Sequence, residues 1–105
     1  VSDSDVISLG CYNFQVLHTP GHAIGHVSFY CDQLTNQFEA PVLIAGDALF
    51  KGSIGRTDLP GGNHQQLLDS IQSKLLVLPD ETVVCSGHGS NTLIGDERGS
   101  NPFLI

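Results

Sequence analysis

Residues 13–17 alternate moderately between polar and apolar side chains and predict a strand, which the turn Thr19-Pro20-Gly21 closes. Residues 27–31 form a second short β-prone run, and the polar stretch 32–39 reads as a hairpin connection. Residues 41–45 are apolar throughout with β-branched members, which predicts a short strand covered on both faces. Four glycines and one proline within residues 51–62 predict a long, structured loop. A helix follows. Asn63 and Gln66 have the spacing of a capping pair, in which the Asn side chain takes an orphan backbone N–H and the Gln reaches back. Leu67, Leu68, Ile71, Leu75 and Leu78 then recur at helical spacing and define one buried face, and Pro79 stops the run. Residues 82–85 predict another β-branched strand, and residues 92–98 a short helix. There is no internal repeat, low-complexity tract or interdomain linker. Strands interleaved with helices predict an α/β layered fold.

Composition narrows the class. At 105 residues the chain is one domain's worth of protein. Eleven acidic residues against four basic ones give a formal charge of −7. Lys51, Arg56, Lys74 and Arg98 are too few to neutralise many phosphates, so a nucleic-acid partner is not expected. The same balance suits a chain that recruits a cation. Cys11, Cys31 and Cys85 are odd in number and form no C-x-x-C, so reduced thiols in a cytoplasmic protein are expected. No apolar stretch reaches the roughly 18 residues of a membrane span, and the first residues carry no signal-peptide pattern. No membrane partner is expected. The missing initiator Met points to a chain that starts inside a larger gene product.

One pattern occurs three times: an apolar strand, a turn containing glycine, then a residue able to bind metal. It leads to His22 through Thr19-Pro20-Gly21, to Asp47 through Gly46, and to His88 through Ser86-Gly87. Functional residues of open sheets gather where strands end, because loops converge there without disturbing the core. Pro20 fixes one turn dihedral and Gly21 supplies the positive one, a type II arrangement that aims His22 outward. Two imidazoles and a carboxylate suit zinc or non-haem iron. Five histidines scattered for structural reasons would give the same spacing.

The motifs also resemble a known family. His18-Thr19-Pro20-Gly21-His22 followed by Gly25-His26 resembles the third metal motif of the metallo-β-lactamase superfamily. Gly46-Asp47-Ala48-Leu49-Phe50, continuing to Gly55-Arg56-Thr57-Asp58, resembles the bridging-aspartate motif of its glyoxalase II-like, or hydroxyacylglutathione hydrolase-like, branch. Gly87-His88-Gly89, with residues 92–98 and Asn101-Pro102-Phe103, resembles the last metal motif and the C-terminal signature of that branch. The resemblance runs from about Leu9 to Leu104. It implies that His22 binds one metal, His88 a second, and Asp47 bridges both as the catalytic carboxylate. A water shared by two such cations loses a proton near neutral pH and attacks a thioester such as a hydroxyacylglutathione. Zinc is the implied cofactor. The alternative is iron, as in the persulfide dioxygenases of the same superfamily, which the Gly-Arg-Thr-Asp run fits equally well.

The family's first motif, His-x-His-x-Asp-His, is absent from the sequence. It supplies two ligands to each metal. Residues 1–105 are therefore expected to be a single partial domain, the C-terminal half of an αββα sandwich with a mixed sheet and flanking helices. Each metal keeps one histidine and the shared Asp47, too few for tight binding. The expectation is a parent metal-dependent hydrolase and an isolated chain that is weak or inactive. A non-catalytic fragment or interaction module without metal is the remaining alternative. A sandwich half also exposes an apolar sheet face, which predicts self-association or cover by the missing half.

Other side chains are weighed against the same site. Arg56, nine residues after Asp47, is the candidate contact for a substrate carboxylate; an ion pair with Asp58 is the competing reading. His18 and His26 read as structural histidines satisfied by hydrogen bonds, with His26 also placed to orient a ligand. His64 and Lys51 read as solvated. Cys85 ends an apolar strand and reads as an inert thiol. Asp96, Glu97 and Arg98 read as a structural charge cluster at a helix end. Asp3 and Asp5 read as disordered terminus.

Overall fold

The protein is described by a computed structural model over residues 5–9, 12–23, 25–33, 39–87 and 89–104. Its strands are β1 (Val6–Leu9), β2 (Tyr12–His18), β3 (Val27–Cys31), β4 (Val42–Gly46), β5 (Leu49–Phe50), β6 (Ser53–Ile54), β7 (Val83–Ser86) and β8 (Thr92–Leu93). Helix α1 (His64–Ser70) continues through a π-helical segment, Ile71–Leu75, and α2 spans Ile94–Ser100. Six strands form one sheet in the order β1-β2-β3-β4-β7-β8, and β5 pairs with β6 in a separate hairpin. Neighbours are antiparallel except β4 and β7, which are parallel. The connection from β4 to β7 carries the hairpin and α1, the kind of crossover that parallel strands require. This is the α/β layering that the pattern predicts, and the mixed sheet with flanking helices that the resemblance implies.

Helix α1 forms where its cap says it should. The Asn63 side chain accepts from the Gln66 amide at 2.9 Å, satisfying one of the orphan N–H groups of the first turn. Leu67, Ile71 and Leu75 are fully buried, with Leu68 and Leu78 packed against them. The helical run stops at Leu75, four residues short of Pro79. Arg98 closes that end by donating to the Leu76 and Leu78 carbonyls and pairing with Asp80. Leu67, Ile71 and Leu75, with Ile94 of α2, share one core with Leu17, Leu43, Ala45 and Val84 of the sheet. Both helices therefore cover the same face.

That arrangement corrects the reading of residues 41–45 as covered on both faces. Leu43 and Ala45 face the helices and are fully buried, whereas Ile44 is 40% exposed. The register places Val16, Phe29, Ile44 and Cys85 in one row across β2, β3, β4 and β7, and Cys31, Val42, Val83 and Leu93 in the next. Apolar content alone cannot distinguish this half-covered strand from a fully covered one, since both faces are apolar. Three further readings change. Strand β1, absent from the sequence reading, pairs with β2, and the Asp5 carbonyl extends that pairing by accepting from Val16 N at 2.7 Å. Asp5 is thus not disordered; Asp3 lies outside the described residues. The loop 51–62 begins inside the β5–β6 hairpin, which turns at Lys51-Gly52. Thr92 and Leu93 form strand β8, and the helix begins only at Ile94.

Among the described residues no helix is long and apolar enough to cross a membrane.

Candidate metal centre

His22 and Asp47 come from separate strand ends and meet. The turn after β2 places Gly21 at φ +130°, and its Cα lies so close to the Leu67 backbone that any Cβ there would overlap it. Glycine is therefore obligatory at the point where His22 is delivered over the start of α1. Asp47 follows β4 directly. His22 Nε2 lies 3.8 Å from Asp47 Oδ2, with the histidine side chain 22% and the aspartate 41% exposed. His22 Nδ1 is 2.8 Å from the Arg56 carbonyl oxygen. A carbonyl only accepts, so Nδ1 carries a proton, and the other ring nitrogen, Nε2, faces Asp47.

Asp47 is held from behind by His26. The Asp47 backbone N–H donates to His26 Nε2 at 3.3 Å, which fixes the His26 proton on Nδ1. That nitrogen donates to Thr19 Oγ1 at 3.0 Å, and Thr19 pairs with buried Ser28 at 3.0 Å. Burial, more than the neighbouring His22, pushes the His26 imidazole below its usual range. His26 thus satisfies a backbone group, as one of its two readings has it, and that group belongs to the candidate ligand Asp47. Its ring meets that of His22 edge-on, with centroids 6.1 Å apart.

The third candidate, His88, lies outside the described residues. Gly87 is described, and it touches the site: a Cβ there would stand 2.7 Å from Asp47 Oδ1, and its N–H donates to the Gly46 carbonyl at 2.7 Å. The strand-end segment after β7 therefore abuts the carboxylate. Among the described residues no group of three or more His, Cys, Asp or Glu forms a metal-binding cluster.

The donors present fit a first-row cation. One unprotonated imidazole nitrogen and one carboxylate oxygen, each bound at about 2.0–2.2 Å, span a distance of the order seen between His22 and Asp47. The carbonyl behind His22 is the kind of outer partner that fixes a metal-binding tautomer. A pocket of about 300 Å³ opens beside them, lined by His22, Asp47, Phe50, Gly55 and Arg56.

Arg56 forms the pair weighed against its substrate role. Its Nε and a terminal amino group bind both Asp58 oxygens, at 2.7 and 2.9 Å, on an exposed loop. The Arg56 guanidinium holds the Asp58 carboxyl below the ordinary range, chiefly by direct hydrogen bonding. Its backbone carbonyl is the part that serves His22. Cys85 behaves as expected, since burial pushes its thiol up, away from a reactive thiolate. His64 is exposed at the start of α1.

Glu97 is structural, as the sequence reading has it, but it does not cluster with its charged neighbours: it is 2% exposed, and Arg98 pairs with Asp80 instead. Its carboxylate accepts from Gly52 N at 2.8 Å, Asn101 Nδ2 at 2.9 Å and Thr92 Oγ1 at 2.7 Å. Spacing held the signal: Ile94, Glu97 and Asn101 share one helical face.

Comparison with known proteins identifies the family. The sequence profile of the metallo-beta-lactamase superfamily matches residues 1–88. This chain belongs to that superfamily. It is 45% identical to hydroxyacylglutathione hydrolase GloC of Haemophilus influenzae, over 97% of the chain and 45% of that protein. It superposes on BLEG-1, a B3 metallo-beta-lactamase, with TM-score 0.87 and 51% identity, covering 99% of the chain and 47% of BLEG-1. TTHA1623 in a di-iron-bound form gives TM-score 0.82 and 43% identity, covering 99% and 47%. The chain spans about half the length of the relatives it matches.

Proposed function

We propose that this chain is the C-terminal half of a metal-dependent hydrolase acting on a thioester such as a hydroxyacylglutathione. One observation carries the reading: a Nδ1-pinned His22 and Asp47 face each other across 3.8 Å at strand ends, in a chain of this superfamily. His22, Asp47 and His88 would hold the ions, zinc in the first reading. Bound there, the metals would supply Lewis-acid chemistry that lowers the pKa of water and polarises an acyl carbonyl.

The chain's own residues set the stage. Asp47 presents a carboxylate whose backbone His26 holds in place, and the Arg56 carbonyl fixes the His22 ring through Nδ1–H so that Nε2 faces Asp47. Arg56 lines the pocket and would meet the substrate carboxylate by exchanging Asp58 for it. The likeness to GloC supports the thioester class. Iron-dependent persulfide oxidation is the second reading, favoured by the likeness to a di-iron protein. The free thiols of Cys31 and Cys85 support a reducing, cytoplasmic setting. The apolar rows through Ile44 and Val42 are covered, in this proposal, by chain equivalent to the part of the relatives outside the match.

The test is hydrolysis of S-lactoylglutathione by the chain alone and after joining to an αβ half bearing His-x-His-x-Asp-His. Background rate alone, activity when joined and loss of it in Asp47→Ala support the proposal. Turnover by the chain alone contradicts the need for the further ligands. Oxygen uptake with glutathione persulfide, in place of thioester hydrolysis, selects the iron reading.

A further inference from the structure

We infer that Glu97 is a positioning residue: through the β5–β6 hairpin it clamps the Arg56 carbonyl that sets the His22 tautomer. The carboxylate is buried and its two oxygens accept three hydrogen bonds, so it is a fixed anchor. One bond holds the hairpin turn at Gly52 N. Asn101, itself fully buried, donates its other amide hydrogen to the Ser53 carbonyl at 3.0 Å. Glu97 and the C-cap residue Asn101 thus grip the hairpin turn at Gly52 and the first residue of β6, Ser53.

From there the path to His22 is short and stiff. Ile54 pairs with Leu49, and Gly55 N donates to the Ala48 carbonyl at 3.0 Å. Gly55 packs so tightly on the Asp47 carbonyl oxygen that a Cβ would overlap it. The next residue, Arg56, offers its carbonyl to His22 Nδ1. If the anchor at Gly52 and Ser53 loosens, that carbonyl moves and the imidazole loses its reason to keep the proton on Nδ1. The clamp needs no metal; its consequence for ion holding rests on the ligand role proposed for His22.

The experiment uses ¹⁵N NMR of the imidazole nitrogens at a pH where the ring is neutral, in the wild type, Glu97→Gln, Thr92→Val and a stability-matched Ile71→Val control. The expected result is a single Nδ1–H form of His22 in the wild type and control, with a mixture in Glu97→Gln and a smaller shift in Thr92→Val. Thr92→Val keeps the side-chain shape, so it remains informative should Glu97→Gln not fold. An unchanged His22 signal in the Glu97 and Thr92 variants, or an equal change in the control, overturns the clamp. In the joined protein, zinc affinity should fall about tenfold in Glu97→Gln, as for loss of other outer partners of metal ligands. A changed tautomer with unchanged zinc affinity keeps the clamp and refutes the ligand role of His22.

Discussion

Leu43 and Ile44 are neighbours in β4 and similar in volume, yet one is fully buried and the other is 40% exposed. The difference belongs to the sheet faces. On Leu43's side, α1 and α2 close a core in which Leu67, Ile71, Leu75 and Ile94 are inaccessible to solvent. On Ile44's side the register lines up equally apolar side chains, but no described helix packs there. Composition makes both faces fit to be interior; one is closed by helices within this chain, while on the other Val16 and Cys31 are buried and Ile44 is left exposed. The comparison teaches that side-chain chemistry specifies what a face wants, and that partner elements decide whether it is satisfied.

The largest effect should come from the covered face. Ile71→Ala is expected to cost about 2–5 kcal/mol, the usual range for emptying a packed site, measured by urea denaturation. Asn63→Ala tests the same layer more gently. Loss of the cap should cost about 1 kcal/mol in the same experiment. On the open face, Ile44→Asp should change unfolding free energy by less than about 1 kcal/mol, since little packing is lost. The same substitution should reduce self-association of the chain in sedimentation, whereas a wild-type chain that stays monomeric and binds no hydrophobic dye would break the contrast.

The smallest effect lies on the surface loop. Arg56 lowers the Asp58 pKa below its ordinary 3.8, so the pair favours the folded state above that pH. The contribution disappears as pH falls through the lowered value. Because both side chains are exposed, Arg56→Ala should leave the melting temperature unchanged. An NMR titration should nonetheless show Asp58 returning to the ordinary range in that variant.

Much of this architecture was legible in the chain. Leu67, Ile71 and Leu75 announced the buried helix face, Asn63 its start, and residues 27–31 the strand β3 to the residue. The glycine-punctuated strand ends singled out His22 and Asp47, which lie 3.8 Å apart. What stayed hidden depended on distant contacts. The β5–β6 hairpin is two residues per strand, too short for any alternation, and exists because α2 anchors its turn. Glu97 read as one of a helix-end charge cluster because its actual donors come from residues as far away as Gly52. The resemblance implied one exposed apolar face, but the run 41–45 alone could not place Ile44 on it, since a strand's sequence does not state which layers surround it.

The central claim, that His22 and Asp47 hold one metal site, is tested most directly by titrating the chain with cobalt(II) and following its d–d absorption. The account predicts weak, saturable binding in the wild type that falls more than about tenfold in both His22→Ala and Asp47→Asn. Equal binding in all three proteins would contradict it.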